Sequence, residues 1–369
     1  MNSPFLFDAH LDLAMNAVEF NRDLTLSIAD IRASEKHLKD KPDRGRGTVS
    51  LPEMRKARIG LCVATQIARV EHNCYSPVFG WRSPAQAWAI TQAQAAWYEA
   101  MEEAGEMVRI DNRASLERHL ALWNAENDVV PESAQPSVPL PIGYILSLEG
   151  ADSLITVGYL ERSVARGLRA IGPAHYGPGI FANGTDATGC FNARGLELLR
   201  EIARLGLILD VTHLADDCFW QALDLFDGPL WASHHNSRAL VPHNRHLSDE
   251  MTKALVARDA VIGVALDAWM LVPGWVRGQT TPQSSGVTLE HFVDHIDHHC
   301  QVAGSARHVG IGSDLDGAFG TEQTPQDLDT IADLTRVPDM LRMRGYSDED
   351  ILGILHGNFL RFLRRALPE

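Results

Sequence analysis

No uninterrupted apolar run in this 369-residue chain reaches the ~18 residues that a membrane-crossing helix needs. The opening Met1-Asn2-Ser3-Pro4-Phe5 lacks the basic start and apolar stretch of a secretory leader, so a cytoplasmic protein with no membrane partner is expected. Cysteine is sparse. The five residues Cys62, Cys74, Cys190, Cys218 and Cys300 are odd in number and scattered, without CxxC or zinc-finger spacing. That disfavours a disulfide framework and favours reduced, mostly buried thiols. A basic excess is missing too: 33 Lys and Arg face 48 Asp and Glu, and a net charge of −15 repels nucleic acid and anionic surfaces. A small molecule or a metal ion is the more natural partner. Internal repeats and low-complexity tracts are also absent.

At 45% apolar, the chain has ample material for a core. Its length allows two or three domains, but α/β barrels use as much chain in one. Eight short apolar runs cover residues 5–9, 61–68, 142–148, 168–174, 207–212, 230–233, 261–266 and 309–313. Between them lie amphipathic patterns at helical period: 85–104, 153–166, 192–204, 249–258 and 289–302. Further helical segments at 327–344 and 347–365 close the chain. Eight strand–helix units with near-continuous apolar strands predict an α/β fold, a (β/α)8 TIM-type barrel with additional C-terminal helices, in one domain over residues 1–369. The proline-rich segment 130–141 then leads into the third strand rather than linking domains, and the basic stretch 36–46 is expected to be a solvated loop.

Ligand-type residues recur directly after these runs: His10 and Asp12, Glu149, His175, His213, His234, and Asp314. In a (β/α)8 barrel those strand ends converge on one rim, so residues distant in sequence can meet in one coordination sphere. A lone strand-end histidine is usually structural; six strand ends carrying such residues are not a coincidence of that kind. His10 and Asp12 share one side of an extended chain and can chelate a divalent ion. Glu149 ends an apolar strand, where a buried carboxylate needs a strong cation; the alternative is a dipole partner for the helix that follows. His213 and His234 can bind a second ion, with Glu149 bridging, although spacing alone does not choose between His234 and His235.

Two further patterns compete. His291, His295, His298, His299 and Cys300 share a helical stretch with i,i+4 pairs that can chelate zinc, but no HExxH occurs and the stretch lies away from the rim. A partly exposed polar face is expected there. The run from Gly310 to Gly317 (GIGSDLDG) resembles a phosphate loop but fits neither GxGxxG nor the Walker pattern.

The ordered set HLD (10–12), SLEG (147–150), His175, DVTH (210–213), SH (233–234), NRHLSDE (244–250), GSDLDG (312–317) and GNFLR (357–361) resembles the renal or membrane dipeptidases, peptidase family M19, over nearly the whole chain. The resemblance implies a binuclear zinc dipeptidase on an amidohydrolase-like barrel, holding two Zn2+ per chain. It implies His10 and Asp12 on one zinc, Glu149 bridging, His213 and His234 on the other, and so prefers His234 to His235. It also implies that His175 polarises the substrate carbonyl and Arg245 holds the terminal carboxylate. Asp314 would handle protons beside a bridging hydroxide. A C-terminal D residue would be tolerated, and a homodimer is the common assembly. Two Zn2+ against Asp12, Glu149 and one hydroxide leave a charge of about +1, which favours an anionic substrate and a developing oxyanion.

The chain departs from the family pattern at Asp267, where many relatives place a substrate-contacting Tyr after the seventh strand. That acid can repel a dipeptide terminus or attract a basic group. The stretch after His175 also lacks the Trp and Asn of some relatives. Two rival readings therefore stand beside dipeptide hydrolysis: a related amide or lactam hydrolase, and a metal-binding barrel without catalysis.

Overall fold

The computed structural model describes residues 4–71, 80–124 and 139–369; Cys74 and most of the proline-rich 130–141 segment lie outside them. Eight strands close a ring. They are β1 (Leu6–Leu11), β2 (Ile59–Ile67), β4 (Ile142–Glu149), β5 (Leu168–Gly172), β6 (Ile208–Asp210), β7 (Leu230–Trp231), β8 (Ile262–Val264) and β9 (Val309–Ile311), and each falls on one of the eight apolar runs. The ninth strand, β3 (Met107–Arg109), was not apparent in the sequence. It lies parallel to residues 142–144 of β4, below the stretch that β5 occupies.

Pairing runs parallel in the order β1-β2-β4-β5-β6-β7, with β8 and β9 as a separate parallel pair. One bridge, Ala232 to Ile262, joins β7 to β8. On the other side the Asp314 amide donates to the His10 carbonyl at 3.2 Å, joining β9 to β1. Glycine lets β8 and the end of β9 pack against the end of β7. A Cβ at Gly263 or Gly312 would lie 1.9 or 1.8 Å from the Ser233 carbonyl oxygen, so only the bare backbone fits. The (β/α)8 barrel with additional C-terminal helices is therefore present.

Strand burial is continuous because helices cover the outer face, as parallel sheets require. The covering helices include Pro84–Glu103, Ala193–Arg204, Asp249–Ala257 and Leu289–Ala303. Ser83 opens the first of these by accepting from the Gln86 amide, with Pro84 in the first turn. The 153–166 pattern resolves instead into a 3₁₀ turn, Ala151–Ser153, and a short helix, Tyr159–Ala165. The C-terminal helix Asn358–Ala366 is pinned beneath β9: Asn358 Nδ2 donates to the Ala306 and Val309 carbonyls at 2.7 and 2.8 Å, and Phe359 stacks on Phe7. Among the described residues, no helix is long and apolar enough to cross a membrane.

Two expectations need correction. His295 and His299 are buried rather than on an exposed face. Ser237 N donates to His295 Nδ1, and His299 Nδ1 pairs with the Thr252 hydroxyl. Burial holds both imidazoles neutral, near pKa 4 and 3, and neither joins a metal-type cluster among the described residues. The basic stretch 36–46 is also not simply solvated. Asp43 is buried, and Lys41 and Arg46 line the central cavity.

Candidate metal centre

The strand ends carry their polar residues to a common point. Gly150, at φ +74°, turns the chain directly after Glu149, so the carboxylate stays at the tip of β4 instead of capping a helix. His213 and Asp314 hold left-handed backbone conformations, φ +68° and +58°, which side-chain-bearing residues adopt at a cost. Such strain concentrates where a structure must aim particular groups.

Glu149 sits at the middle. Its Oε2 lies 3.5 Å from His10 Nε2, and its Oε1 lies 3.2 Å from His213 Nε2 and 3.4 Å from His234 Nε2. The two oxygens thus face two different histidine sets. Three overlapping groups of donor atoms have metal-binding dimensions: His10, Asp12 and Glu149; Glu149, His213 and His234; and His10, His234 and Asp314. His235 is turned away, its Nδ1 3.4 Å from Arg245 Nη1. His175 Nε2 approaches Glu149 Oε1 at 3.9 Å, and Asp314 Oδ1 approaches His10 Nε2 at 3.8 Å.

Hydroxyls orient the donors. Thr185 Oγ1 pairs with His213 Nδ1 at 2.9 Å, Ser233 Oγ with His234 Nδ1 at 2.8 Å, and Thr65 Oγ1 donates to Asp12. With each Nδ1–H donated to its hydroxyl, the Nε2 lone pairs of His213 and His234 aim inward, as metal-ligating imidazoles require. They carried no sequence signal beyond being ordinary polar residues.

Electrostatics point the same way. Burial drives the imidazoles of His213 and His234 well below their usual pKa and His175 to about 4, so all three are neutral. Burial raises Asp12 to about 6, with Glu149 adding to it. Burial opposes charge on His10, yet Glu149, Asp12 and Asp314 lift it to about 10. The cluster demands positive charge, which a divalent ion supplies better than one proton. His10 Nε2 is moreover buried without a hydrogen-bond partner. The donor set of three imidazoles and two or three carboxylates suits zinc and other divalent first-row ions.

Above the centre opens a cavity of about 870 Å3, into which Asp12, Glu149, His175, His213, Arg245, Asp267 and Asp314 all face. Arg245 is 1% exposed and pairs with no carboxylate among the described residues. Its Nη2 donates to the His234 carbonyl at 2.9 Å, while its Nε has no partner. A buried guanidinium that meets no carboxylate at a cavity wall has the chemistry to receive an anion. Asp267 accepts Gln323 Nε2 at 2.9 and 3.1 Å, and burial raises its pKa to about 7.

A closed parallel barrel with histidines and carboxylates converging at its strand ends defines a candidate barrel metal centre. The profile of the membrane dipeptidases, peptidase family M19, matches residues 1–367, and the chain belongs to that family. By family it is a metal-dependent dipeptidase. An uncharacterized protein encoded 5′ of pqqA in Klebsiella pneumoniae is 30% identical over 234 residues, 61% of this chain and 82% of that protein. Dipeptidase tcpJ of Claviceps purpurea is 28% identical over 236 residues, 61% of this chain and 52% of its own length. A metallopeptidase from Rhodobacter sphaeroides, solved with a phosphinate mimic of the dipeptide L-Ala-D-Ala, shares the fold. Its TM-score is 0.75 at 21% identity, covering 99% of this chain and 100% of that one.

Proposed function

We propose that this chain hydrolyses dipeptides bearing a free C-terminal carboxylate at a binuclear zinc centre, L-Xaa-D-Xaa among them, and that residues 1–369 work as one catalytic domain. The observation that carries the reading is the division of the Glu149 carboxylate, one oxygen toward His10 and the other toward His213 and His234. His10 and Asp12 would hold one ion, His213 and His234 the other, and Glu149 both. When bound, two such ions supply Lewis acidity and bring the pKa of water to roughly 7.

The remaining roles belong to the protein. Arg245 receives the substrate carboxylate and fixes its register over the centre. His175, neutral and 19% exposed, donates a hydrogen bond to the scissile carbonyl as negative charge develops there. Asp314 accepts the proton of the attacking water and delivers it to the leaving amine. Asp267 lies in the same cavity wall and bears on the C-terminal half of the substrate. The inclusion of L,D dipeptides draws support from the ligand of the Rhodobacter sphaeroides relative.

The deciding experiment is amino-acid release from a panel of L,L and L,D dipeptides by zinc-loaded protein, with H234A as control. Turnover by the wild type that is lost in H234A supports the reading. Two bound zinc ions with no dipeptide turnover would overturn it. Asp267 favours one second reading, a related amide or lactam hydrolase; turnover of N-acyl amino acids or lactams in place of dipeptides would establish that.

A further inference from the structure

One buried carboxamide ties together the two ends of the chain that meet at the centre. Asn16 lies one helical turn after Asp12, is 2% exposed, and uses every hydrogen-bonding atom of its side chain. Its Nδ2 donates to the Asp12 carbonyl at 3.0 Å and to the Asp316 carbonyl at 2.9 Å, across 300 residues of sequence. Its Oδ1 accepts from Arg22 Nη1 at 2.6 Å, which settles which way the amide faces.

Arg22 cannot turn away. Its Nε and Nη2 donate to the two oxygens of Glu35 at 2.9 and 3.2 Å, and Nη2 also reaches Asp43 Oδ2 at 2.8 Å. All three residues are buried. The segment 22–43 after β1 thus contributes a buried ionic clamp, and its target is the amide of Asn16.

The strand end that Asn16 grips on the far side is strained. Asp314, Asp316 and Ala318 have φ values of +58°, +60° and +65°, a run of left-handed residues with no glycine among the three. Such a loop keeps its shape only when its surroundings hold it. The Asp316 carboxylate accepts the Thr48 amide and hydroxyl, both at 2.7 Å, and the Val49 amide at 3.0 Å. Asn16 supplies the other grip, on the Asp316 carbonyl. It joins two other ties between β1 and the loop carrying Asp314: the Asp314 amide bond to the His10 carbonyl, and Asp8 Oδ1, which accepts the His10 and Ser313 amides at 3.1 and 2.9 Å.

We infer that Asn16, aimed by Arg22, is a positioning residue that sets the separation of Asp12 from Asp314. It touches neither substrate nor ion, and it acts through the backbone of both residues. The inference rests on the metal-centre reading above and names a part of it that no ligand motif contains.

The test uses full-length N16A. The dissociation constants of zinc are measured by chelator competition on metal-stripped protein, beside kcat and KM for a turned-over dipeptide and the Tm of the metal-free form. Loss of a group that orients a ligand costs about 10- to 100-fold in metal affinity or activity. The expected result is a loss of that size in zinc affinity and in kcat, with KM within about threefold of wild type. Unchanged zinc affinity and kcat would overturn the inference, and so would a variant whose only change is a lower metal-free Tm. Should N16A fail to fold, N16S keeps one donor and carries the same test, with a loss of about 10-fold expected. Wild type that binds no zinc would instead overturn the metal-centre reading itself.

Discussion

His213 Nε2 and His234 Nε2 lie 3.2 Å apart, although the Nδ1 of each ring is engaged by a neighbouring hydroxyl. With Nδ1 protonated, two neutral lone pairs face each other beside a carboxylate oxygen, an arrangement that only shared positive charge makes favourable.

Metal removal is therefore expected to destabilise the fold as well as abolish activity. At free zinc about 1,000 times the dissociation constant, each site adds about 4 kcal/mol to stability. Thermal unfolding with chelator and after zinc is restored should show a raised and recoverable Tm, with part of the increment missing in H234A. A Tm indifferent to zinc would contradict the site.

Arg245 makes a separate claim, since it is buried and meets no carboxylate among the described residues. A charge-assisted hydrogen bond is worth about 1.5–3 kcal/mol. R245M should accordingly raise KM for dipeptides by roughly 10- to 100-fold. It should also erase the wild type's preference for a dipeptide over its C-terminal amide. Steady-state kinetics on the paired substrates reads both. A variant that keeps the preference would remove Arg245 from carboxylate binding.

Asp267 gives a pH dependence whose sign follows from its raised pKa of about 7. The folded state holds this proton between the unfolded carboxylate value near 4 and about 7. Its contribution to stability is present at low pH and is lost as pH rises through that window. Above 7 the ionised acid also repels a substrate carboxylate in the cavity it shares with Arg245. KM for a neutral-side-chain dipeptide should rise between pH 6 and 8 in the wild type and stay flat in D267N. Denaturation midpoints should show D267N gaining on the wild type over pH 4 to 7. Parallel pH profiles for the two proteins would exclude Asp267 from both effects.

The barrel was legible because its strands are buried on both faces and therefore read as apolar runs; β2 and β4 are unbroken examples. β3 was not, being three residues long and half-buried. The helices Ile28–Glu35, Leu51–Lys56, Arg113–Trp123 and Asp216–Leu225 also escaped, their apolar faces too narrow or too short for a clear period. At the site, the strand-end positions singled out from sequence do converge, because strand ends in a barrel are geometrically fixed. What surrounds them was hidden. Thr65, Thr185 and Asn16 are polar residues of a kind found anywhere on a surface. Asp43 and Arg44, in the stretch 36–46, read as solvated charge, since sequence shows a charge and not the partner that lets it be buried.

The ring joins its first strand to its last. The candidate ligands accumulate in order along a growing chain: His10, Asp12 and Glu149 exist once β4 is made, His213 follows β6 and His234 follows β7. A nascent or truncated chain ending after β7 would carry all five and still leave β1 and β7 as open parallel edges, ready to pair with other chains. Only the arrival of β8 and β9 seals those edges and brings Asp314 to the rim. Closure of the ring, loss of the open edges and the arrival of Asp314 at the rim thus depend on the same two strands.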